Sequence, residues 1–222
     1  MVHQAKGRDP KAERCILKAM EEKIDREGRV LSDRVLDVGR FLNQQIDTVF
    51  LEEIGEEIGR LYRDAGVTKI LTIESSGIAL AVAAGIKMKV PVVFAKKHRT
   101  SNVGGPVYAT TVHSFTHDFD YTVCVAQEYL SQEDTVLIVD DFLANGKAAE
   151  GLIALIHQAG AGLAGVAVAV EKGFQGGGDR LRATGVRVEA LAGIASMSPA
   201  GICYRPCRGT ASERSGDEAR SL

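Results

Sequence analysis

Two adjacent carboxylates follow a strongly apolar stretch in the second half of this 222-residue chain. The stretch is Val-Leu-Ile-Val at residues 136–139, and Asp140 and Asp141 come directly after it. Four apolar residues in a row, three of them β-branched, predict a strand buried on both faces, and hence a central strand of a parallel sheet. Ligands of such sheets bind at the carboxyl ends of the strands. Two like charges about 4 Å apart repel by about 4 kcal/mol at an effective dielectric constant of about 20, so the pair favours a partner such as sugar hydroxyls or a divalent cation.

The turn after the acids could bind a phosphate. It contains a glycine and leads into a stretch of helical composition, and backbone N–H groups at the start of a helix attract phosphate oxygens. Acids for a sugar and amides for a phosphate would then lie close together along the chain. The alternative interpretation is a strand, turn and helix whose acids only cap the helix. The residues of the turn are Ala144, Asn145, Gly146, Lys147 and Ala148.

Short apolar stretches alternate with helical ones along most of the chain. This alternation predicts an α/β fold with a mainly parallel twisted sheet flanked by helices. Residues 98–119 contain Gly-Gly-Pro and little helical periodicity, which predicts a flexible excursion. The predicted strands are 67–73, 90–95, 121–127, 135–139, 165–170 and 186–191. The predicted helices are 18–27, 48–65, 77–87, 146–158 and 179–184.

Length and composition favour a single domain with short additional segments. We expect a polar N-terminal extension at 1–14, a domain at 15–197 whose small hood begins with about 15–47, and a disordered tail at 198–222. The 27 basic and 29 acidic residues nearly balance, so we expect no nucleic acid as a partner. No apolar run reaches the roughly 18 residues of a membrane helix, and we expect no membrane association and a cytoplasmic protein. The cysteines lack paired metal-ligand spacing, which favours free thiols.

The acidic pair and its turn resemble the phosphoribosyl-pyrophosphate (PRPP) motif of type I phosphoribosyltransferases. Most members of that family carry a Thr-Gly-Gly-Thr-like turn, whereas this turn has no hydroxyl residue. Its Asp-Asp-Phe-Leu-Ala-Asn-Gly form is similar to that of the members that act on xanthine. The resemblance covers about residues 17–195. Two parts of the chain depart from the family pattern, the N-terminal extension and the tail. Gly173 and the glycines at 176–178 also depart from it, and we expect them to loosen the segment after Lys172.

On the PRPP side, the resemblance implies a division of labour. Asp140 and Asp141 would hold the ribose hydroxyls, and the 144–148 turn would hold the 5-phosphate. The loop after the first core strand would bind pyrophosphate through Ser75, Ser76 and Gly77, although a serine there is also an ordinary helix cap. Lys97 would be a further pyrophosphate ligand, although a charge run is more often a solvated face. Residues after Lys97 would form a lid that excludes water.

On the base side, the resemblance implies four contacts with the purine. Lys172 would donate to an oxo group, which suits a 6-oxopurine better than adenine. Phe174 would lie on the face of the base, Leu36 of the hood would pack against it, and Asn43 would hydrogen-bond its polar edge. The alternative interpretations are a surface lysine, core packing for Phe174 and Leu36, and a surface asparagine.

Together these features predict a homodimeric enzyme that converts xanthine and PRPP to xanthosine monophosphate and pyrophosphate, with Mg²⁺ carried by PRPP and no metal ligands of its own. Turnover of guanine, hypoxanthine or adenine is one alternative. A PRPP-sensing regulator without catalysis is another, although a basic DNA-binding module is expected before the core of such a protein. A Rossmann nucleotide-binding domain is disfavoured because no Gly-x-Gly-x-x-Gly follows the first core strand.

Overall fold

A computed structural model describes residues 10–97, 105–114 and 119–206; for residues 10–17, 114 and 119 it describes the backbone alone. The strands are β1 (Arg29–Val30), β2 (Leu36–Asp37), β3 (Lys69–Ile73), β4 (Val92–Ala95), β5 (Val107–Ser114), β6 (Phe119–Ala126), β7 (Thr135–Leu143), β8 (Gly162–Lys172), β9 (Val188–Ser198) and β10 (Gly201–Tyr204). The helices are α1 (Pro10–Glu27), α2 (Thr48–Leu61), α3 (Gly77–Met88), α4 (Lys147–Gln158) and α5 (Gly177–Ala183). None of these helices combines the length and apolar composition that a membrane crossing requires.

The central sheet has six strands in the order β10-β9-β8-β7-β3-β4. Every neighbouring pair is parallel except β10 and β9, so the predicted mainly parallel α/β architecture is confirmed. Strand β7 lies between β8 and β3, and its apolar residues alternate between two cores: Leu137 and Val139 on one face, Val136 and Ile138 on the other. This alternation is the reason for the unbroken apolar run, because a strand covered on both faces has no solvent side.

Helices α2 and α3 cover one face of the sheet, and α4 lies on the other. The helix predicted at 48–65 is observed as α2, and Phe50, Ile54 and Ile58, at helical spacing, are buried on one stripe of it. The helix begins where the Asp47 carboxylate accepts a hydrogen bond from the backbone N–H of Phe50 (3.1 Å). Such local signals explain why most predicted helices and strands lie near their observed positions, although α1 begins eight residues before the predicted helix at 18–27 and β9 ends seven residues after the predicted strand at 186–191.

The predicted excursion at 98–119 is wrong in part. Residues 107–114 form β5, which pairs with β6 as a separate antiparallel hairpin. The hairpin packs on α4, where a Cβ on Gly151 would lie 2.5 Å from Cγ2 of Val112. The β-branched and aromatic residues of β5 (Val107, Tyr108, Thr110, Thr111 and Val112) were the missed strand signal. The lid predicted at 98–104 and 115–118 lies outside the described residues.

Both chain ends differ from expectation. Helix α1 begins at Pro10, inside the predicted extension. The predicted disordered tail begins too early, because β10 pairs with β9 and the backbone N–H of Arg205 donates to the carbonyl of Gly193 (2.6 Å). Strand β10 has only four residues, of which Gly201 and Cys203 are exposed and Ile202 and Tyr204 half-buried, so it lacks the apolar run that predicts a strand. Residues 207–222 lie outside the described part of the chain.

Candidate active site

The two acids lie within β7 rather than after it, because the strand continues to Leu143. Asp140 is paired with Val168 of β8, and the backbone N–H of Asp141 donates to Oδ1 of Asp140 (3.0 Å). Both acids therefore belong to the sheet and not to a loop that follows it. The two acids also interact through their side chains, since Asp141 is among the groups that act on the carboxyl of Asp140.

Asp140 is electrostatically strained. Burial raises its pKa well above the ordinary value, and the charge of Asp141 raises it further, whereas Lys97 acts in the opposite direction. A carboxylate in this position favours a compensating cation or a hydroxyl donor beside it. This is the environment that the sequence predicted for the acidic pair.

The turn after the acids leads directly into α4. Gly146 has a φ of +79°, a left-handed conformation that favours glycine, and the backbone N–H of Lys147 donates to Oδ1 of Asn145 (3.1 Å). The Lys147 ammonium is directed to Glu150 (2.7 Å). A depression is lined by Asp140 and by all five turn residues, 144–148, so this acid and the turn share one surface.

Helix α5 packs directly against this turn. The backbone N–H of Gly177 donates to the carbonyl of Ala144 (3.1 Å), and Arg180 donates to the carbonyl of Asn145. A Cβ on Gly177 would lie 2.3 Å from that Ala144 oxygen and 2.5 Å from the nitrogen of Gly146. The expectation that the glycine run loosens this region is therefore wrong: Gly177 permits a close backbone contact that fixes the turn.

The predicted pyrophosphate loop also lies against the acids. A Cβ on Gly77 would be 2.6 Å from Oδ1 of Asp140 and 2.2 Å from Oγ1 of Thr72. Ser76 occupies the cap position of α3, and its side chain makes no capping hydrogen bond. The carbonyl of Ser75 accepts from the N–H of Ile78 (3.2 Å).

Lys97 joins this group from the end of β4. Its backbone N–H donates to Oε1 of Glu74 (2.8 Å), and its ammonium lies 5.8 Å from the centre of the Tyr121 ring. Burial and the charge of Asp140 raise the pKa of Tyr121. Tyr121 is a residue that sequence reasoning missed, because its strand belongs to the hairpin and only the fold brings it to the acids.

On the base side, the structure brings two of the four predicted residues to the acids. Asn43 follows the hood hairpin β1–β2, and its Nδ2 donates to Oδ2 of Asp141 (2.9 Å). Lys172 ends β8; its ammonium donates to the carbonyl of Arg34 (2.8 Å) and lies 4.9 Å from the centre of the Phe142 ring. Burial lowers the pKa of Lys172, and Asp141 opposes that shift.

The other two predicted base contacts lie in different surroundings. Leu36 is only 6% exposed and belongs to the hydrophobic core. Its contact with a base stays a prediction, and its packing in the hood is what the structure provides. Phe174 is 39% exposed and lines a second depression with Arg34, Asn145 and Gln175. This depression adjoins the phosphate turn through Asn145.

Within the part of the chain that the structure describes, no group of three or more His, Cys, Asp or Glu side chains is arranged to hold a metal ion. The carboxylates of Asp140 and Asp141 are nevertheless the donor type that Mg²⁺ prefers. Mg²⁺ commonly binds proteins through one or two carboxylates together with substrate phosphates. The pair therefore fits a cation that arrives with a phosphorylated ligand.

The fold and this site define a transferase of phosphoribosyl groups. A family model described as the phosphoribosyl transferase domain matches residues 43–187, and the chain belongs to that family. Within it, the chain is 51% identical over 189 residues to a xanthine phosphoribosyltransferase of Pseudomonas savastanoi pv. phaseolicola, covering 85% of this chain and 100% of the relative. It is 50% identical over 183 residues to a xanthine phosphoribosyltransferase of Moorella thermoacetica, covering 82% of this chain and 93% of the relative.

Solved structures agree on the fold. The adenine phosphoribosyltransferase of Rhodothermus marinus superimposes with a TM-score of 0.66 at 22% identity, covering 80% of this chain and 99% of that one. The Trypanosoma brucei adenine phosphoribosyltransferase in complex with AMP, pyrophosphate and ribose-5-phosphate gives a TM-score of 0.65 at 18% identity, covering 86% and 82%. At these identities the likeness concerns the architecture alone.

Proposed function

We propose that this enzyme transfers the phosphoribosyl group of PRPP to N9 of xanthine, giving xanthosine 5'-monophosphate and pyrophosphate in purine salvage. The observation that carries the proposal is the meeting of two sets of groups at Asp141. The backbone N–H of Asp141 donates to Asp140, which lines one depression with the 144–148 turn, and the carboxylate of Asp141 accepts from Asn43 and acts on the charge of Lys172. Relatives about half identical over most of the chain bear the name of this activity.

On the PRPP side, the protein positions the substrate and screens its charges, and no side chain forms a covalent bond to it. Asp140 and Asp141 fix the ribose hydroxyls, the 144–148 turn holds the 5-phosphate, and Ser75, Ser76, Gly77 and Lys97 hold the diphosphate. As the diphosphate leaves, positive character develops on the anomeric carbon, as in other glycosyl transfers. The acids are near enough to stabilise that charge electrostatically. Mg²⁺ carried by the diphosphate and ribose oxygens of PRPP would supply neutralisation of the negative charge on the leaving group.

On the base side, selection follows from hydrogen-bond donors. An ammonium carries three donors, so Lys172 can keep its bond to the Arg34 carbonyl and still donate to a purine oxo group. The amide of Asn43 has a second N–H for the extra oxo group of xanthine. Leu36 and Phe174 remain proposed contacts with the base. A site that hydrogen-bonds a substrate group discriminates strongly against analogues without it.

The test is PRPP-dependent consumption of xanthine, hypoxanthine, guanine and adenine in the presence of Mg²⁺. We expect xanthine to have the highest kcat/KM, with guanine next. Faster turnover of guanine or hypoxanthine would move the assignment to those bases, and faster turnover of adenine would contradict the role given to Lys172. Tight binding of PRPP without turnover of any base would support the non-catalytic regulator instead.

The proposal includes a homodimer in the cytoplasm. On α3, Val82 and Ile86 are 44% and 70% exposed, and Phe94 of the edge strand β4 is 44% exposed. Apolar residues that share a helix face beside a sheet edge favour association. PRPP carries too much charge to cross a lipid bilayer, so the enzyme belongs in the compartment that holds it. Sedimentation of the full chain tests the dimer, and a monomer at micromolar concentration would contradict it.

A further inference from the structure

A single arginine after β10 contacts the segment that carries the base-side lysine. The guanidinium of Arg205 donates to the carbonyl of Gly173 (2.7 Å), to Oδ2 of Asp179 (2.9 Å) and to Oε1 of Glu171 (3.3 Å). Glu171 and Gly173 flank Lys172 in the chain. Arg205 therefore holds both neighbours of the residue to which the proposed function assigns base selection.

The acid in this contact is buried and held rigidly. Glu171 is 3% exposed, and Arg182 binds its two oxygens in bidentate fashion (2.9 and 2.6 Å). Bidentate arginine–carboxylate pairs fix geometry as well as charge, and a buried acid without its partners is costly. Arg205 and Asp179 extend the pair into a four-residue network that joins the end of β8 to α5 and to the segment after β10.

Gly173 is matched to Arg205 by shape. A Cβ at position 173 would lie 2.0 Å from Nε and 2.2 Å from Cζ of Arg205. Any side chain at this position would displace the guanidinium from the backbone that it crosses. The glycine after Lys172 and the C-terminal segment were two separate departures from the family pattern. In the structure they contact each other, through Gly173 and Arg205.

We propose that Arg205 is a positioning residue for base recognition, acting through Gly173 and Glu171 to fix the direction of Lys172. This inference rests on the proposed function of the site. The PRPP turn is held by different contacts, from Gly177 and Arg180. Loss of Arg205 therefore affects the base and spares PRPP.

The first test compares Arg205→Ala with Arg187→Ala, a matched control. Arg187 also binds one carboxylate (Glu189, 2.9 Å) and one carbonyl (Leu61, 2.8 Å), but it lies at the other end of the sheet strands. We expect Arg205→Ala to raise KM for xanthine about tenfold, equivalent to one charged hydrogen bond, while KM for PRPP changes less than about twofold. Arg187→Ala should lower thermal stability and leave both KM values unchanged. Parallel rises of both KM values in Arg205→Ala would overturn the proposal, because they indicate general loosening.

The second test is a double-mutant cycle that does not depend on how well Arg205→Ala folds by itself. Gly173→Ser should raise KM for xanthine when Arg205 is present, and much less in the Arg205→Ala background, where the guanidinium no longer occupies the space. Additive effects would refute the matched pair. Arg205→Lys keeps the charge without the planar fork, so we expect KM for xanthine to remain raised, and a KM equal to that of the unmodified enzyme would also refute the positioning role.

The outcome is separable from that of the proposed function. If the unmodified enzyme prefers guanine or hypoxanthine, the same ratios measured with that base still test Arg205, because the contact concerns how Lys172 is held and not which oxo group it meets. If no base is consumed, the proposed function fails first. Equilibrium binding of xanthine in the presence of PRPP then tests Arg205, and equal affinities for the Arg205→Ala and unmodified proteins would contradict the inference.

Discussion

The two halves of the site are built in different ways. The PRPP side comes mainly from one continuous stretch, Asp140 to Ala148, in which strand, turn and helix follow one another. The base side is assembled across the chain: Lys172 meets Arg34 over 138 residues, Asn43 meets Asp141 over 98, and Arg205 meets Gly173 over 32. Under the proposed function, the groups assigned to the sugar are therefore encoded locally, and those assigned to the base are brought together by tertiary contacts.

The two halves are also supported differently. Backbone atoms of Gly177, Ala144 and Gly146 meet at the phosphate turn, and Gly77 meets Asp140 where no side chain fits. The base side is supported by side-chain ion pairs around Glu171. Backbone contacts of this closeness leave no room for another residue type, whereas side-chain networks can be exchanged. A scaffold of this kind can keep one reaction while its base preference changes.

The largest effect is expected where the backbone contact is closest. Gly177→Ala would put a methyl group 2.3 Å from the carbonyl oxygen of Ala144, so either the turn or α5 must move. A displacement of about 1 Å near a reacting centre can reduce turnover on the order of 10²-fold, and we expect that loss in kcat/KM for PRPP. Steady-state kinetics with saturating xanthine measures it.

Gly59→Ala, within α2, is the matched control, because a methyl group there meets two side-chain carbons at ordinary distances, Cγ of Met88 at 3.4 Å and Cβ of Lys87 at 3.6 Å. It should leave kinetics unchanged and stabilise the helix by about 0.5–1 kcal/mol. If Gly177→Ala retained full affinity for PRPP, backbone closeness would not distinguish the two halves of the site.

Asp140→Asn should reduce activity and increase stability. The variant keeps an oxygen that can accept from the N–H of Asp141 but removes a charge that burial and Asp141 make unfavourable. We expect turnover to fall by about 10²-fold, the usual scale for losing one preorganised electrostatic contact. The same change should raise the melting temperature at neutral pH, a trade-off typical of functional sites.

The raised pKa of Asp140 also predicts in which direction the stability of the protein changes with pH. The folded pKa of Asp140 is raised above its unfolded value, so the folded protein binds the proton more tightly and loses stability as pH rises from about 4 through the folded pKa. Melting temperatures of the unmodified protein should decline over that window more than those of Asp140→Asn. A variant that is less stable than the unmodified protein at neutral pH would show that the pair is already compensated.

The local part of the candidate site could be located from the sequence for a physical reason. Apolar periodicity, an acidic pair and a glycine turn are local signals, and the structure brings Asp140, the 144–148 turn and the loop at Gly77 close together; their roles toward PRPP stay predictions. The sequence could not predict which distant groups meet them. Tyr121, Arg34 and Arg205 carry no local motif: Tyr121 lies on the β5–β6 hairpin, Arg34 lies between β1 and β2, and the pairing of β10 with β9 places Arg205.

The glycines after Lys172 show the same limit. In sequence, a glycine run indicates freedom of the backbone. In the fold, a Cβ added at Gly173 or Gly177 would lie closer to a neighbouring atom than van der Waals contact allows. The same residue type therefore predicts looseness or close packing, and the choice depends on contacts that the sequence does not contain.

A crossed pair of variants sharpens the division between the halves. Lys172→Ala should raise KM for xanthine about 10- to 100-fold, the range for a charged hydrogen bond, with little change in KM for PRPP. Asp141→Asn should do the reverse. Its side-chain oxygen can still accept from Asn43, so the link to the hood is retained while the charge is lost. Equal losses for both substrates in both variants would mean that the site responds as one unit.

The smallest effect concerns the hairpin, which adds to the PRPP side from outside the local motif. The ring of Tyr121 lies 5.8 Å from the ammonium of Lys97, and a cation–π contact at a partly exposed site is worth about 0.5–1 kcal/mol. Tyr121→Leu should therefore raise KM for PRPP about two- to fivefold, whereas Tyr121→Phe, which keeps the ring, should change it less. Both variants should leave KM for xanthine unchanged. If Tyr121→Phe raised KM for PRPP as much as Tyr121→Leu, the hydroxyl of Tyr121 and not its ring would be responsible for PRPP affinity. The hairpin would then contribute to the charge balance of the acids and not to the placement of Lys97.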